Sequence, residues 1–194
     1  MKLIRTLVLA AAGSLLMLGA QGDTVSVQGV KLEDTIKMQG SRLQLNGAGT
    51  RFKAIFKVYV AGLYLCKKAT TPDEVVNQPG PKRLAVTMLR TIDSKDLGKL
   101  LNRGMEDSMD KAVMSKLVPG LIRMGEMFAA QKPLVAGDQF RIEWVPNVGS
   151  VITVKGVVHG EPFKEAEFFK ALMMIWLSPV PADNLLKDAL LGGK

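Results

Sequence analysis

The stretch from Phe52 to Cys66 constrains the fold more than any other part of the chain. In an extended strand, successive side chains point to opposite faces, and here both alternating sets are mostly apolar. One set is Phe56, Val58, Val60, Gly62 and Tyr64, and the other is Ile55, Tyr59, Ala61, Leu63 and Leu65. A strand that is apolar on both faces needs cover on both, which predicts the central strand of a sheet.

Further strands are predicted on both sides of this central one. In segment 42–46, Leu43 and Leu45 alternate with polar residues, which predicts a strand with one solvent-facing side that includes Asn46. Other strands are predicted at about 25–32, 82–90, 139–146 and 150–158. The last two are expected to form a hairpin, because Pro-Asn-Val-Gly at 146–149 is a strong turn signal.

Apolar residues at helical spacing predict helices in the second half of the chain. Ser94 is positioned to cap a helix that follows the strand at 82–90. A further helix or helix pair covers about 111–130, and we expect an interruption near Pro119-Gly120 because proline has no N–H to donate. Two C-terminal stripes consist of Phe169, Leu172, Met173 and Trp176, and of Leu185, Leu186, Ala189 and Leu190.

The order of these elements is strands, helices, a hairpin and helices again. This order predicts an α+β protein, with a mainly antiparallel sheet and helices layered on one face, rather than a dinucleotide-binding α/β fold. Residues 23–194 contain no repeat and no linker, and their number fits one domain, since domains typically run to ~100–200 residues. We therefore expect segment 23–194 to form a single domain.

Residues 1–22 have the features of a secretory signal peptide. Lys2 and Arg5 come first, an apolar run follows from Leu7 to Leu18, and small residues lead to Asp23. The apolar run is shorter than the ~20 residues that a membrane-spanning helix needs. We therefore expect cleavage before Asp23 or, alternatively, after Ala20, a mature protein that is periplasmic or secreted, and no integral membrane segment after cleavage.

The composition excludes several kinds of chemistry. With one cysteine, Cys66, and one histidine, His159, the chain cannot assemble a zinc site of the usual nitrogen and sulfur ligands. Cys66 is expected to be a buried apolar residue, and His159 to occupy a surface or turn position. The net charge of +8 is spread along the chain and only 6% of residues are aromatic, which argues against nucleic-acid binding. No metal or cofactor is expected, and the oligomeric state is open.

The residues around Arg51 offer the chemistry of a binding site. Gly47 and Gly49 allow a tight reversal of the chain directly before Arg51. The guanidinium group presents five donors in a fixed fork, which suits a carboxylate or another planar oxyanion. Tyr59 lies on one face of the central strand with a hydroxyl that needs a partner if buried, whereas Tyr64 points to the opposite face. Arg51 and Tyr59 are therefore the candidate ligand-binding pair.

Two sequence motifs in this region carry a family resemblance. Gly-Ala-Gly-x-Arg at 47–51, followed by Lys-x-x-x-x-Gly-Leu-Tyr-Leu at 57–65, resembles the chalcone isomerase family, and more closely its bacterial chalcone-isomerase-like members. The resemblance implies an open-faced β-sandwich whose cleft, in the enzymes, binds a planar flavonoid and closes its ring. It also implies that the family's catalytic arginine matches Arg51 and that its cleft threonine falls on Tyr59.

Two other positions depart from the enzymes of this family. Where the enzymes have a helix tyrosine that positions water and the ketone, this chain has Leu97. Their threonine-methionine pair falls on Met174-Ile175, again without a hydroxyl. Because positioning groups of this kind contribute ~10²–10⁴-fold each, their replacement argues against an efficient isomerase.

Three functions remain open from the sequence. The first is an exported protein that binds a fatty acid or similar apolar carboxylate without catalysis, with Arg51 as the anion clamp and Tyr59 as the second donor. This is the function of the fatty-acid-binding branch of the resembled fold. The second is an isomerase, an intramolecular lyase of the chalcone isomerase type, in which Arg51 stabilises charge. The third is a structural or partner-binding domain in which Arg51 only pairs with a nearby carboxylate.

Overall fold

The computed structural model describes residues 23–193, so the predicted signal peptide at 1–22 lies outside the described residues. The strands are β1 (Thr24–Val27), β2 (Val30–Glu33), β3 (Thr35–Met38), β4 (Ser41–Lys53), β5 (Phe56–Leu65), β6 (Lys82–Met88), β7 (Gln139–Val145), β8 (Gly149–Val154) and β9 (Val157–Val158). The helices are α1 (Pro72–Asn77), α2 (Ser94–Ser108), α3 (Lys111–Ala129), α4 (Ala166–Leu177) and α5 (Asn184–Leu190).

Strands β3 to β9 form a seven-stranded sheet in which spatial order follows sequence order. Every neighbouring pair is antiparallel, because each strand turns back beside the one before it. Strands β1 and β2 form a separate antiparallel hairpin. The architecture is α+β with a curled antiparallel sheet and helices, as the order of elements predicted.

The central strand β5 is buried on both faces, which confirms the prediction from its two apolar sets. Tyr59 and Ala61 belong to the main core, which lies between the sheet and the helices. Val60 and Tyr64 belong to a second cluster on the other face. Leu32 from the β1–β2 hairpin is part of this second cluster, so the small hairpin covers the face that the helices leave free.

The predicted central strand starts later than expected, because a turn interrupts the segment 52–66. Strand β4 ends at Lys53, the chain reverses at Ala54, where φ is +53°, and β5 begins at Phe56. A register shift between Arg51 and Phe52 leaves Val58 as an extra residue in β5. The β-bulge brings Val58 to the same side of the sheet as Tyr59, although simple alternation predicted the opposite face.

The two glycines before Arg51 do not reverse the chain, and that prediction was wrong. Strand β4 continues through Gly47 and Gly49 with one register shift after Leu45. Helix α5 lies directly on this part of the strand, so a methyl group on Gly47 would overlap the carbonyl oxygen of Ala189. A methyl group on Gly49 would lie 2.8 Å from the Ala189 Cβ. The glycines therefore serve the close approach of α5.

Asn46 is buried, whereas the alternating pattern predicted solvent exposure. Its side-chain amide donates to the Leu190 carbonyl at 2.7 Å and to the Ala69 carbonyl at 2.9 Å. Its side-chain oxygen accepts from the Ala69 N–H at 2.8 Å. These three bonds pair a buried polar group and join β4 to the end of α5, which the local pattern around Asn46 does not reveal.

Helix α2 begins at Ser94, one residue earlier than a Ser94 cap implies, and its cap is Asp93. The carboxylate of Asp93, rather than the hydroxyl of Ser94, accepts from the Asp96 N–H at 3.1 Å. The Ser94 hydroxyl instead donates to the carbonyl of Lys132, beyond the end of α3. Asp93 and Ser94 are both favourable N-cap residues, and the tertiary contact of Ser94 decides between them.

Helix α3 runs without a break through Pro119, so the predicted interruption was wrong. A proline inside a helix costs about 3 kcal/mol. Burial of one apolar face offsets this cost, since each fully buried large side chain contributes ~1.5–3 kcal/mol. The buried face of α3 consists of Met114, Leu117, Leu121, Met124 and Phe128.

Cys66 and His159 occupy unremarkable positions. Cys66 is half-buried rather than fully buried, with its sulfur 3.7 Å from the Pro81 carbonyl oxygen. The Nδ1 atom of His159, which follows β9, lies 3.2 Å from the side-chain nitrogen of Gln131.

Among residues 23–193, no three His, Cys, Asp or Glu residues are grouped to hold a metal ion. None of the helices α1 to α5 combines the length and the apolar character that crossing a bilayer requires.

Candidate functional site

A cavity of about 380 Å³ lies between the helix layer and the end of the sheet where β4 meets β5. Most of its wall is hydrocarbon. The lining residues are Arg51, Lys53, Val58 and Tyr59 from β4 and β5, Ile92, Leu97, Leu100, Leu101, Gly104, Asp107 and Ser108 from α2 and the residues before it, Phe140 from β7, and Ile175, Trp176, Val180, Pro181 and Ala182 from α4 and the segment after it.

Arg51 and Tyr59, the two residues singled out in the sequence, are direct neighbours across the β4–β5 pairing. Residues opposite each other in an antiparallel pair share one face of the sheet, so both side chains point towards the helices. Both line the cavity, and Tyr59 is buried while the Arg51 side chain is 24% exposed. The guanidinium is thus neither in bulk solvent nor sealed inside the core.

The hydroxyl of Tyr59 is held by a neighbouring tryptophan. The indole N–H of Trp176 in α4 donates to the Tyr59 hydroxyl at 2.8 Å. Burial raises the pKa of Tyr59 to about 12, against the opposing effects of the Trp176 bond and the nearby Arg51 charge. The phenol therefore stays protonated at neutral pH, and its own O–H remains a donor.

Arg51 contacts a carboxylate of the helix layer. Its Nη1 lies 3.5 Å from Oδ2 of Asp183 and also donates to the carbonyl of Phe52. Asp183 itself accepts from the Phe52 N–H at 2.9 Å and, through Oδ1, from the Leu186 N–H at 3.1 Å at the start of α5. The same Arg51 nitrogen, Nη1, contacts both the Asp183 carboxylate and the Phe52 carbonyl. The ion pair is therefore not bidentate, and the carboxylate does not engage the other guanidinium N–H groups.

Two of the three residues at which this chain departs from the isomerases line the cavity. Leu97 on α2 and Ile175 on α4 both line it and present hydrocarbon. Met174, the other member of the Met174-Ile175 pair, is half-buried and is not among the lining residues. Leu97 and Ile175 therefore add apolar surface and no hydrogen-bond donor.

The mouth of the cavity has apolar and charged residues on its rim. Val180, in the segment between α4 and α5, is 79% exposed, and Leu100 on α2 is 54% exposed. Lys53, at the end of β4, is also exposed and lines the same opening. Asp107 on α2 is exposed and lines the cavity as well, so the rim combines exposed hydrocarbon with one positive and one negative charge.

Two residues of the site were not identified as functional from the sequence. Trp176 was recognised only as part of an apolar helix stripe, although an indole N–H needs a partner when it is buried. Asp183 was not singled out, although an aspartate two residues before Leu185-Leu186 is a normal helix cap. Their contacts with Tyr59 and Arg51 depend on how the helices lie on the sheet.

A curled antiparallel sheet, a helix layer on one face and an apolar cavity between them define an α+β protein of the open-faced β-sandwich class. The family model described as chalcone isomerase-like matches residues 24–192. The chain therefore belongs to the chalcone isomerase-like family, as its motifs indicated.

One similar solved structure is the crystal structure of a fatty-acid binding protein from Arabidopsis thaliana. The two share 13% sequence identity with a TM-score of 0.69, over 87% of this chain and 96% of that chain. At this identity the likeness establishes a common fold. Comparison with curated protein sequences gives no match.

Proposed function

We propose that this chain is an exported protein that binds a fatty acid or a similar apolar carboxylate, with Arg51 and Tyr59 holding the carboxylate. One observation carries the proposal: two hydrogen-bond donors, one of them cationic, stand side by side at a cavity whose walls are mostly hydrocarbon. An amphiphile with an anionic head and an apolar chain matches both features. Small-molecule sites typically measure ~300–1,000 Å³, a range that includes this cavity.

The head group is held by charge-assisted hydrogen bonds. The guanidinium of Arg51 donates to one carboxylate oxygen, and the protonated hydroxyl of Tyr59 donates to the other. Trp176 contributes indirectly, because its bond to the Tyr59 oxygen occupies a lone pair and orients the phenol. Hydrogen bonds to a charged group contribute about 1.5–3 kcal/mol each, more than neutral ones.

The chain of the ligand lies against the hydrocarbon wall. Leu97, Leu101 and Ile175 lie on α2 and α4, opposite the sheet side of the cavity. Each methylene group removed from water contributes about 0.8 kcal/mol, so affinity increases with chain length until the cavity is filled. The fold shared with a plant fatty-acid binding protein supports this use of the cleft, although fold alone does not determine function.

The proposal assigns no chemical step to the site. Leu97 and Ile175 supply no hydroxyl to position water or a ketone, and the nearby Asp183 partly neutralises Arg51. These features favour equilibrium binding over turnover. Addition of chalcone-like enones to the protein should therefore give no cyclised product above the rate of Arg51→Gln, and a faster wild-type rate would contradict the absence of catalysis.

The binding experiment is calorimetric titration with medium- and long-chain saturated carboxylic acids and with the alcohols of the same lengths. We expect the acids to bind at least ~10-fold more tightly than the alcohols, and Arg51→Gln to remove most of that difference. The matched control is Arg42→Gln, an exposed arginine on the same strand outside the cavity lining. Equal affinity for acids and alcohols, or an unchanged Arg51→Gln, would exclude the assigned carboxylate site.

Export is tested separately by mass spectrometry of the protein recovered from cell fractions. The proposal requires a form that begins at about Asp23 and is found outside the cytoplasm. Recovery of only the uncleaved chain in the cytoplasm would contradict export. It would not bear on ligand binding, which the calorimetric titration tests.

A further inference from the structure

The turn between β4 and β5 ends in an exposed apolar tip, here called the hairpin tip and defined as residues 53–57. Ile55 is 84% exposed and Phe56 is 54% exposed. Lys53 and Lys57, which flank them, are exposed as well, and the tip contains no acidic residue. Large apolar side chains at the end of a turn, flanked by lysines, are suited to the boundary between lipid head groups and acyl chains.

A third cation lies beside the tip. The guanidinium carbon of Arg90, which follows β6, lies 4.9 Å from the centre of the Phe56 ring. Arg90 is exposed and so adds its charge to those of Lys53 and Lys57. The tip and Arg90 together present three cations and two apolar side chains to the outside.

The hairpin tip lies next to the mouth of the cavity. Lys53 pairs with Phe56 across the hairpin, and Lys53 also lines the cavity. Val180 and Leu100, the exposed apolar residues of the rim, line the same opening. An object that contacts the tip is therefore close to the entrance through which a ligand reaches Arg51.

We propose that the hairpin tip docks on an anionic lipid surface, with Ile55 and Phe56 inserted at the interface and the three cations facing lipid phosphates. Charge complementarity supports this occupant, since residues 23–194 contain 24 basic and 18 acidic residues, a net charge of +6, and the tip carries only positive charge. Docking of this kind brings the cavity mouth to the bilayer. The protein could then pass a carboxylate amphiphile between the bilayer and the cavity. This transfer role rests on the proposed function, whereas docking itself does not.

The expected affinity for an anionic membrane follows from the number of basic and apolar side chains at the tip. A basic residue near an anionic membrane contributes about fivefold to the binding constant. Removal of the two apolar side chains from water contributes about tenfold or more. The association should therefore be reversible and should weaken as the salt concentration rises.

The experiment is sedimentation of the purified protein with vesicles of phosphatidylcholine alone or mixed with phosphatidylglycerol. We expect binding to the anionic vesicles, and a loss of about tenfold or more in Ile55→Ser/Phe56→Ser. The matched control is Val157→Ser/Val158→Ser, an exposed apolar pair on β9 at the opposite edge of the sheet, which should bind as the wild type does. All forms are prepared with the same N-terminus, and melting curves verify that they are folded.

The charge contribution is tested with a second pair of variants. Lys57→Glu/Arg90→Glu reverses two charges beside the tip and should abolish binding to anionic vesicles. Lys111→Glu/Lys116→Glu makes the same change in net charge at exposed positions of α3 and should weaken binding only slightly. Equal losses in both pairs would show a response to net charge alone and would overturn the assigned surface.

The same samples separate docking from ligand binding. Ile55→Ser/Phe56→Ser should keep the wild-type affinity for free fatty acid in solutions without vesicles, because neither residue lines the cavity. If the wild type binds fatty acid but no vesicle, docking is wrong and the proposed function stands. If it binds vesicles but no fatty acid, only the proposed function fails. If the tip variant instead changes the oligomeric state in gel filtration and vesicles are not bound, a second copy occupies the tip and docking is wrong.

Discussion

The indole N–H of Trp176 donates to the hydroxyl of Tyr59 at 2.8 Å, across the boundary between helix α4 and strand β5. Both side chains are buried, and both line the cavity. The bond therefore joins the two layers of the fold at the place where the ligand head group is proposed to lie. It holds the phenol in one orientation and leaves the phenol hydrogen for an acceptor.

Replacement of this tryptophan tests that relationship. Trp176→Phe removes the donor and part of the packing, and should lower the free energy of unfolding by about 1–3 kcal/mol. It should also weaken fatty-acid binding several-fold, because Tyr59 is no longer oriented. The control is Trp144→Phe, whose ring packs on Phe169 and is not among the cavity lining residues. If both variants lose stability and neither loses affinity, the Trp176 bond serves the core alone.

The tyrosines predict a loss of stability in alkaline solution. Burial raises the pKa values of Tyr59 and Tyr64 to about 12, compared with about 10 in an unfolded chain. Above pH ~10 the unfolded chain therefore loses protons that the folded protein keeps, and stability falls as the pH rises towards 12. The limiting slope is about 1.4 kcal/mol per pH unit for each tyrosine.

Denaturation curves at several pH values measure this effect. Tyr59→Phe should reduce the alkaline slope, and the difference from the wild type isolates Tyr59 because the lysines contribute equally to both. Below pH ~9 the two proteins should show parallel pH profiles. An unchanged alkaline slope in Tyr59→Phe would mean that the phenol titrates as it does in water.

The close packing of α5 predicts a strong effect at Gly47. Gly47→Ala places a methyl group on the carbonyl oxygen of Ala189, so the helix must move or the strand must bend. We expect a loss of about 2 kcal/mol or more in the free energy of unfolding, from overpacking. The control is Gly125→Ala in α3, where the added methyl group approaches only a side-chain nitrogen of Asn102 at 3.3 Å.

At Gly125 the higher helix propensity of alanine should keep the change near zero or make it stabilising. Urea denaturation of the two variants side by side gives the comparison. Similar stabilities for both would show that α5 does not lie on β4 as closely as described.

The carboxylate of Asp183 lies 3.5 Å from Arg51, where the proposed function places the carboxylate of the ligand, so the two would compete for the guanidinium. Asp183→Asn removes the negative charge and one of the two acceptor oxygens, so the amide can accept from the Leu186 N–H or the Phe52 N–H but not from both. Stability should therefore fall by about 1–3 kcal/mol. The affinity for fatty acids should rise several-fold, because Arg51 is no longer partly neutralised. Calorimetric titration measures this change, with Asp138→Asn as a control that removes an ion pair with Lys155 outside the cavity. Weaker binding in Asp183→Asn, with the fold intact, would mean that the ion pair positions Arg51.

Local pattern was sufficient for the fold class and for most of the longer elements, although helix α1 was not predicted. The two apolar sets around Tyr59 and Tyr64 predicted a strand covered on both faces, and the Pro-Asn-Val-Gly turn predicted the β7–β8 hairpin, both of which are present. The motifs at 47–51 and 57–65 indicated the family that the family model matches. Such signals depend on neighbours in the sequence, so they are readable without coordinates.

Local pattern did not predict the structural roles of several individual residues. Gly47 and Gly49 were interpreted as a turn, Asn46 as a solvent-facing residue and Pro119 as a helix break, and in each case a contact with a distant element decides otherwise. Helix α5 needs the glycines and bonds to Asn46, while burial of its apolar face keeps α3 continuous through Pro119.

The amino-acid sequence by itself indicated the α+β class, a mainly antiparallel sheet, and Arg51 and Tyr59 as candidate site residues. That these two residues face each other across β4 and β5 is a finding of the tertiary structure. Only the tertiary structure decided that Trp176 and Asp183 complete the site and that the hairpin tip lies beside its mouth. The physical reason is that periodicity and turn chemistry act over a few residues. The partners of a buried donor or charge are chosen by how whole layers pack, and these contacts join residues more than a hundred positions apart.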